Sequence, residues 1–251
     1  MEQQNYNYNS DSVFVQEGSV SKKFFANVFL WMFIALGITT LAAYLFASSP
    51  ELMQYIRKTD EVTGRNSMTI LGWIATLAPL GLIFAMGSGL NRFSYATILG
   101  AFLLFSFLLG ISMSSILFRY EITSVYTCFI AAAGIFGIMA FLGYTTDVDL
   151  SKFGPILMVG LVGLIIASVI NMIIGSSTLH YILSFVGIAI FTALTAYDVQ
   201  KIKRIGLGIE ENGGQIAAAD TKKLVLMAAL SLYLDFINIF IYLLQIFGSR
   251  K

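Results

Sequence analysis

Long apolar stretches separated by short polar connections dominate this chain. Seven of them are long enough for an α-helix to cross a bilayer, which takes roughly 20 residues; they occupy residues 24–47, 67–90, 94–118, 122–144, 153–175, 179–203 and 223–247. Only two connections are longer than the others, residues 48–66 and 204–222. The pattern predicts an all-α polytopic membrane protein with seven transmembrane helices in one domain, residues 21–251. Residues 1–20, rich in Asn, Tyr, Ser and Gln, are predicted to form a disordered polar tail.

Composition strengthens this prediction and removes several classes of function. Of the 251 residues, 57% are hydrophobic and 12% are charged, a balance that soluble domains of this length do not have. A net charge of +1 gives no basic footprint for nucleic acid. The single cysteine, Cys128, has no partner for an intramolecular disulfide, and the single histidine, His180, leaves a histidine metal site without a second ligand. We therefore expect no bound metal and no cofactor.

The distribution of Lys and Arg predicts an orientation. Nine of these residues fall on the N-terminal side and in the second, fourth and sixth connections, and six fall on the other side. The positive-inside rule then predicts a cytoplasmic N-terminus and an external C-terminus.

The last apolar stretch carries a carboxylate, Asp235, near its middle. On a helical wheel five polar residues of this region fall within one narrow arc of roughly 80°, namely Ser231, Asp235, Asn238, Tyr242 and Gln245. A charged group at bilayer depth is costly and usually faces a cavity or a partner. The stripe therefore predicts a helix that lines something polar. The alternative is a buried acid that an Asn or a Tyr holds for packing specificity.

The sixth stretch also has a small and polar face, which leads to Asp198. This face holds Ser184, Gly187, Phe191, Thr195 and Asp198. Because sequential antiparallel helices are usually neighbours, Asp198 and Asp235 could meet and share a proton, which would make a pH sensor. Their depths along the two predicted helices differ by roughly 10 Å. Contact thus needs a tilt, or a seventh helix that starts outside the hydrocarbon with Asp220 or Thr221 as its cap. The alternative for Asp198 is an interfacial acid paired with Lys201 or Lys203.

Three further features have simple structural interpretations. Arg92 could be a counter-ion of Asp198, but a snorkelling positive-inside anchor is the favoured interpretation. In TTDVDLSKFG, residues 145–154, Asp149 or Ser151 is expected to cap the next helix rather than to bind a cation. Glycines inside the spans are expected to allow close helix packing; they are Gly134, Gly137, Gly160, Gly163 and Gly187.

The sequence gives little indication that the protein is an enzyme. A Ser–His–Asp or Cys–His constellation within the bilayer is missing from the sequence. Tyr197-Asp198 resembles the first motif of presenilin-type intramembrane proteases, but their second motif, Gly-x-Gly-Asp, is absent because Asp235 stands in Leu-Tyr-Leu-Asp. We expect that the protein is not an enzyme.

Two segments, TALTAYDVQKIK (residues 192–203) and ALSLYLDFINIFIYLLQIFG (residues 229–248), resemble the Bax inhibitor-1 family. This family is also called the transmembrane Bax-inhibitor-motif family, and its bacterial members with a long sixth loop look most similar. TTDVDLSKFG and GISMSSI (residues 110–116) also look like family segments. The resemblance extends from about residue 20 to the end of the chain.

The resemblance implies a seven-helix fold with the last helix central, and a calcium leak whose pH dependence belongs to an aspartate pair. By motif match the pair is Asp198 and Asp235, and Arg92 is the candidate for a basic latch on it. Some members carry an acid in the second span that is tied to the ion path, whereas residues 67–91 contain neither Asp nor Glu.

The sequence therefore predicts a pH-sensitive cation leak in a bacterial inner membrane, with Ca²⁺ as the candidate permeant ion. Asp198 and Asp235 would form the gate, and four residues are candidates to line the path: Asn238, Tyr242, Ser231 and Thr195. The partners expected are the lipid bilayer, the cation and other membrane proteins. The alternative is a non-conducting regulatory protein that acts in membrane stress or proteolytic quality control, with acids that serve only packing. A proton-coupled transporter is disfavoured, since the sequence has no pair of interrupted helices.

Overall fold

The computed structural model describes residues 19–59, 66–211 and 218–251. Within these ranges the helices are α1 Ser19–Ser48, α2 Pro50–Ile56, α3 Ile70–Gly89, α4 Tyr95–Arg119, α5 Ile122–Thr145, α6 Gly154–Ile174, α7 Ser177–Glu211 and α8 Ala218–Phe247. Seven of them, all except the short α2, are long and apolar enough to cross a bilayer. The predicted all-α architecture with seven spans is thereby confirmed. We call the membrane face where α1 begins the N-face and the face where α8 ends the C-face.

Local signals explain where several helices begin and end. Thr69 caps α3 by accepting a hydrogen bond from Gly72 N at 3.1 Å, and Ser94 caps α4 in the same way from Thr97 N at 3.2 Å. At the end of α6, Gly175 adopts a left-handed conformation with φ of +72°. A glycine takes this conformation without steric cost, so the chain can turn at once into α7.

The connection between the first and second spans is more ordered than a loop. Ser49 caps α2 and Pro50 occupies its first turn, a typical start signal for a helix. Two short antiparallel strands follow, β1 (Arg57–Thr59) and β2 (Asn66–Met68). The tip of this hairpin, residues 60–65, lies outside the described residues, as do residues 1–18 of the predicted N-terminal tail.

Both helices that carry the candidate acids are longer than predicted. The sixth span, α7, continues to Glu211 instead of ending near residue 203. Its hydropathy falls at the basic residues, but Ile202, Gly206 and Ile209 continue a buried face along the helix. The seventh span, α8, begins at Ala218. The prediction that Asp220 or Thr221 caps it was therefore wrong, since both lie inside its first turns.

The last helix is the most buried of the seven spans. In the most apolar 18-residue stretch of α8, 67% of the residues are buried, against at most 39% in the corresponding stretch of any other span. It packs against α1, α4, α5 and α7. That all six other spans surround it stays a prediction.

A buried hydroxyl chain fixes α8 to its neighbours. Thr39 of α1 donates to the carbonyl oxygen of Ser106 in α4 at 2.9 Å, which uses its only proton. The hydroxyl of Tyr233 in α8, 2.7 Å from Thr39 Oγ1, must therefore be the donor in that pair. A single rotamer of Thr39 thus ties three helices together.

Candidate functional site

The contacts between α7 and α8 set the register of the two acids. Near the C-face, Ser184 donates to Gln245 Oε1 at 2.8 Å. Further in, the rings of Phe191 and Tyr242 lie 6.1 Å apart between centroids. The helices are antiparallel, so two turns beyond Phe191 on α7 correspond to two turns before Tyr242 on α8. Those positions are Asp198 and Asp235.

The two carboxyl groups lie close enough for the charge of Asp198 to act on Asp235. The structure thus brings the predicted pair into the same region of the α7–α8 interface. The sequence-based depth difference assumed helices that end at residue 203 and begin at residue 223. The early start of α8, one of the two arrangements that would allow contact, is present.

Asp235 is buried and incompletely paired. It is only 4% exposed, and its Oδ2 has no hydrogen-bond partner among the described residues. Its neighbour on the polar stripe, Asn238, is engaged elsewhere, because its Nδ2 donates to Leu234 O at 2.8 Å. An unsatisfied buried carboxyl oxygen is costly and needs a reason other than packing.

Asp198 is partly buried and forms no ion pair with any described residue. Lys201 is the cation whose charge acts on it. Lys203 points elsewhere, since its Nζ donates to Tyr144 O at 2.8 Å and lies 5.0 Å from the centroid of the Tyr144 ring. The alternative of an interfacial ion pair with Lys201 or Lys203 is therefore not what the structure has.

A polar cavity of about 390 Å³ lies on the C-face side of the acids, between α6, α7 and α8. Its polar lining consists of Ser168, Asn171, His180, Asn238, Tyr242 and Gln245. Two predicted path-lining residues, Asn238 and Tyr242, are among them. Because both lie on the same stripe of α8 as Asp235, the cavity leads along that stripe towards the acid pair.

The contribution of α6 to this cavity was missed in the sequence. Ser168 and Asn171, three residues apart, lie on one face of a helix that otherwise reads as uniformly apolar. Asn171 is buried, and its Oδ1 has no partner in the described part of the chain. The pair of polar residues within the fifth apolar stretch was the signal available.

Two other predicted path-lining residues lie away from the cavity. Thr195 is fully buried, and its hydroxyl donates to Phe191 O within its own helix at 2.8 Å. Ser231 is partly buried, one turn nearer the N-face than Asp235. The structure brings neither of them to the cavity lining.

The predicted latch, Arg92, is not in contact with the acids. It is exposed in the connection between α3 and α4, and within residues 19–59, 66–211 and 218–251 it makes no ion pair. A different cation holds that connection. Lys223 of α8, only 8% exposed, donates to Leu90 O at 3.0 Å and to Phe93 O at 3.4 Å, and pairs with Asp220 at 2.8 Å. The sequence offered no reason to single out Lys223 from the adjacent Lys222.

Asp149 organises the N-face end of α6, as the capping prediction expected. Its Oδ1 accepts hydrogen bonds from the backbone N–H of Ser151 at 3.0 Å and from its hydroxyl at 2.7 Å. It thereby caps the 3₁₀ helix Leu150–Phe153 that leads into α6. The same oxygen forms an ion pair with Arg204 of α7. These hydrogen bonds from Ser151, together with Arg204, hold the pKa of Asp149 well below its usual value.

The lowered pKa of Asp149 predicts a pH-dependent contribution to stability. An acid with a depressed pKa in the folded state stabilises the fold above its unfolded pKa of about 4, and this contribution is lost as the pH falls further. We therefore expect Asp149→Asn to lower the melting temperature of detergent-solubilised protein at neutral pH, and the difference from wild type to shrink below about pH 4. Asp147→Asn, which removes an acid two residues away, is the control. A deficit that stays constant with pH would contradict this account.

The fold and the site define a class: a seven-span membrane protein with an acid pair between its last two helices and a polar cavity beside it. A family profile described as inhibitor of apoptosis-promoting Bax1 matches residues 21–251. The chain is 35% identical over 242 residues to the inner membrane protein YbhL of Escherichia coli K12, which covers 96% of this chain and 97% of YbhL. It is 39% identical over 236 residues to an uncharacterized protein of Borreliella burgdorferi, covering 94% and 96% of the two chains. The protein belongs to the Bax inhibitor-1 family, as its motifs predicted.

Proposed function

We propose that this protein is a pH-sensitive cation leak, with Ca²⁺ as the first candidate ion and with Asp198 and Asp235 as the gate. One observation carries the proposal: the polar cavity and the unpaired Oδ2 of Asp235 lie along the same stripe of α8. Carboxylate, amide and hydroxyl oxygens are the groups that replace the water shell of a hard cation. No catalytic step is part of this function.

Protonation of the pair would change the packing of α7 on α8. Two negative charges at this depth repel each other, and Lys201 is the cation that acts on Asp198. A shared proton removes the repulsion, and its loss pushes the helices apart. The contacts of Ser184 with Gln245 and of Gly187 with Tyr242 hold the C-face half of the interface. The movement is therefore expected in the N-face half, around the acids.

The proposed location is the bacterial inner membrane, with the N-face towards the cytoplasm. A relative named as an inner membrane protein supports the membrane, and the excess of Lys and Arg on the N-face supports the orientation. The cavity then opens towards the outside of the cell, and the acid pair lies between it and the cytoplasm.

The test is Ca²⁺ flux into proteoliposomes at about pH 6 and about pH 8, which bracket the range where a shared proton between buried carboxylates is expected to titrate. We expect the wild-type flux to differ several-fold between the two values, and Asp235→Asn to lose this dependence, because it removes one of the two titrating groups. Asp147→Asn, an acid outside the spans, should keep the wild-type response.

Two results would contradict the proposal. Flux that is pH-dependent to the same extent in Asp235→Asn would separate the leak from the acid pair. Flux no higher than that of empty liposomes in any variant would favour the non-conducting regulatory role instead.

A further inference from the structure

An apolar groove opens from the bilayer between α1 and α5, on the side of α8 that faces away from Asp235. Its floor is formed by Ile237 and Phe240 of α8, which lie roughly 140° to 160° from Asp235 on the helical wheel. The groove holds a cavity of about 200 Å³ towards the C-face and an adjoining one of about 570 Å³ nearer the middle of the membrane. Thr40 of α1 lines both.

The walls of the groove show what can enter it. They are almost entirely aliphatic and aromatic, and Tyr44 and Tyr126 at its open side are 62% and 64% exposed. A groove with this apolar lining, open to the bilayer, suits a single alkyl chain. The groove lies at membrane depth, where alkyl chains are the surrounding medium.

The C-face end of the groove is basic. The terminal segment pairs with the α4–α5 connection, through a bridge between Tyr120 and Arg250 and a hydrogen bond from Lys251 N to Arg119 O at 3.1 Å. The side chain of Lys251 donates to the carbonyl oxygen of Leu117, which lines the groove, at 3.2 Å.

Further charges meet at this rim. The charge of Arg119 acts on Arg57 of β1, which brings a fourth cation to the cluster, and Glu121 is the acid on the same connection. None of the four basic residues forms an ion pair within the part of the chain that the structure describes. The rim therefore has the charge that an anionic headgroup complements.

We propose that this groove binds one acyl chain of an anionic phospholipid, whose phosphate is held at the basic rim formed by Arg57, Arg119, Arg250 and Lys251. The lipid would contact α8 directly through Ile237 and Phe240. This site is independent of the leak, because it lies on the opposite side of α8 from the acids and the polar cavity.

The experiment is native mass spectrometry of the purified full chain with phosphatidylglycerol and with phosphatidylcholine that carry the same acyl chains. We expect the wild type to retain phosphatidylglycerol in about fivefold excess or more, since each basic residue near the headgroup contributes about that factor. Thr40→Trp fills the groove from an exposed position and should abolish retention of both lipids. Arg250→Gln with Lys251→Gln should lower the preference for phosphatidylglycerol by about fivefold or more, because only Arg57 and Arg119 remain at the rim, and should leave retention of phosphatidylcholine unchanged.

Matched controls change the same chemistry elsewhere. Val159→Trp adds the same side chain at a site on α6 that is 71% exposed, and Lys22→Gln with Lys23→Gln removes two exposed charges at the N-face. Both should bind as the wild type does. If Thr40→Trp does not fold, Gly37→Phe fills the same groove, because a side chain at Gly37 meets nothing within 4 Å. Wild-type retention by the groove-filling variant, or equal retention of the two lipids by the wild type, would overturn the proposal.

Discussion

Gly143→Ala is expected to lower the free energy of unfolding by about 3 kcal/mol, the upper range for overpacking a tight interface. An added Cβ at this position of α5 would lie 2.3 Å from the carbonyl oxygen of Ala196 in α7 and 2.8 Å from its Cα. Both obstacles are backbone atoms, so no side chain can rotate out of the way. The helices would have to separate just two residues before Asp198, at the level of the proposed gate.

The same helix provides the control for this prediction. Gly137 of α5 has nothing within 4 Å of an added Cβ. Gly137→Ala should therefore keep or raise the melting temperature, because alanine is favoured over glycine within a helix by about 1 kcal/mol. Thermal unfolding of the two variants in detergent gives the comparison. Equal shifts would contradict the close contact between α5 and α7.

The glycines show what a sequence can and cannot reveal about packing. Gly187 is tightly packed as expected, with the ring of Tyr242 against it, and Gly160 makes an ordinary contact with Ile190. For Gly134, Gly137 and Gly163 the expectation was wrong, since an added Cβ would meet nothing within 4 Å. A glycine marks a place where a helix is thin, but which neighbour approaches it depends on the tertiary arrangement.

The spans and the acid pair were predictable because each depends on a property that a single stretch of sequence shows by itself. Hydropathy over about 20 residues gives a span, and the 100° step of a helix gives the stripe that joins Asp235, Asn238 and Tyr242. The extension of α7 beyond residue 203 was missed, because an amphipathic helix outside the membrane has no long apolar run. The role of Lys223 was missed for another reason. Only the tertiary fold decides which cation is buried against the α3–α4 connection, and the sequence could not show that it is Lys223 rather than Arg92 that holds it.

Ser168→Phe is expected to reduce Ca²⁺ flux by about tenfold or more at either pH, because a bulky apolar side chain in a narrow polar path blocks hydrated ions. Ser168 lies on α6 and lines the polar cavity opposite Asn238 and Tyr242 of α8. Its hydroxyl donates to Leu164 O within α6, at 2.7 Å, and also contacts the side chain of Tyr242 on α8. A loss of flux that comes from the filled cavity must therefore exceed the loss in Ser168→Ala, which removes only that contact. Flux into proteoliposomes measures it under the same conditions as for the acid pair.

The adjacent residue on α6 separates the path from general damage to the helix. Val169 is 51% exposed on the outer surface, and Val169→Phe should conduct as the wild type does. The residual flux of Ser168→Phe should keep the wild-type ratio between the two pH values, because Asp198 and Asp235 are untouched. Asp235→Asn should do the reverse and change the ratio. If Ser168→Phe conducts normally while Asp235→Asn loses its pH response, the acids gate a path that avoids this cavity, and the proposed route along the α8 stripe is wrong.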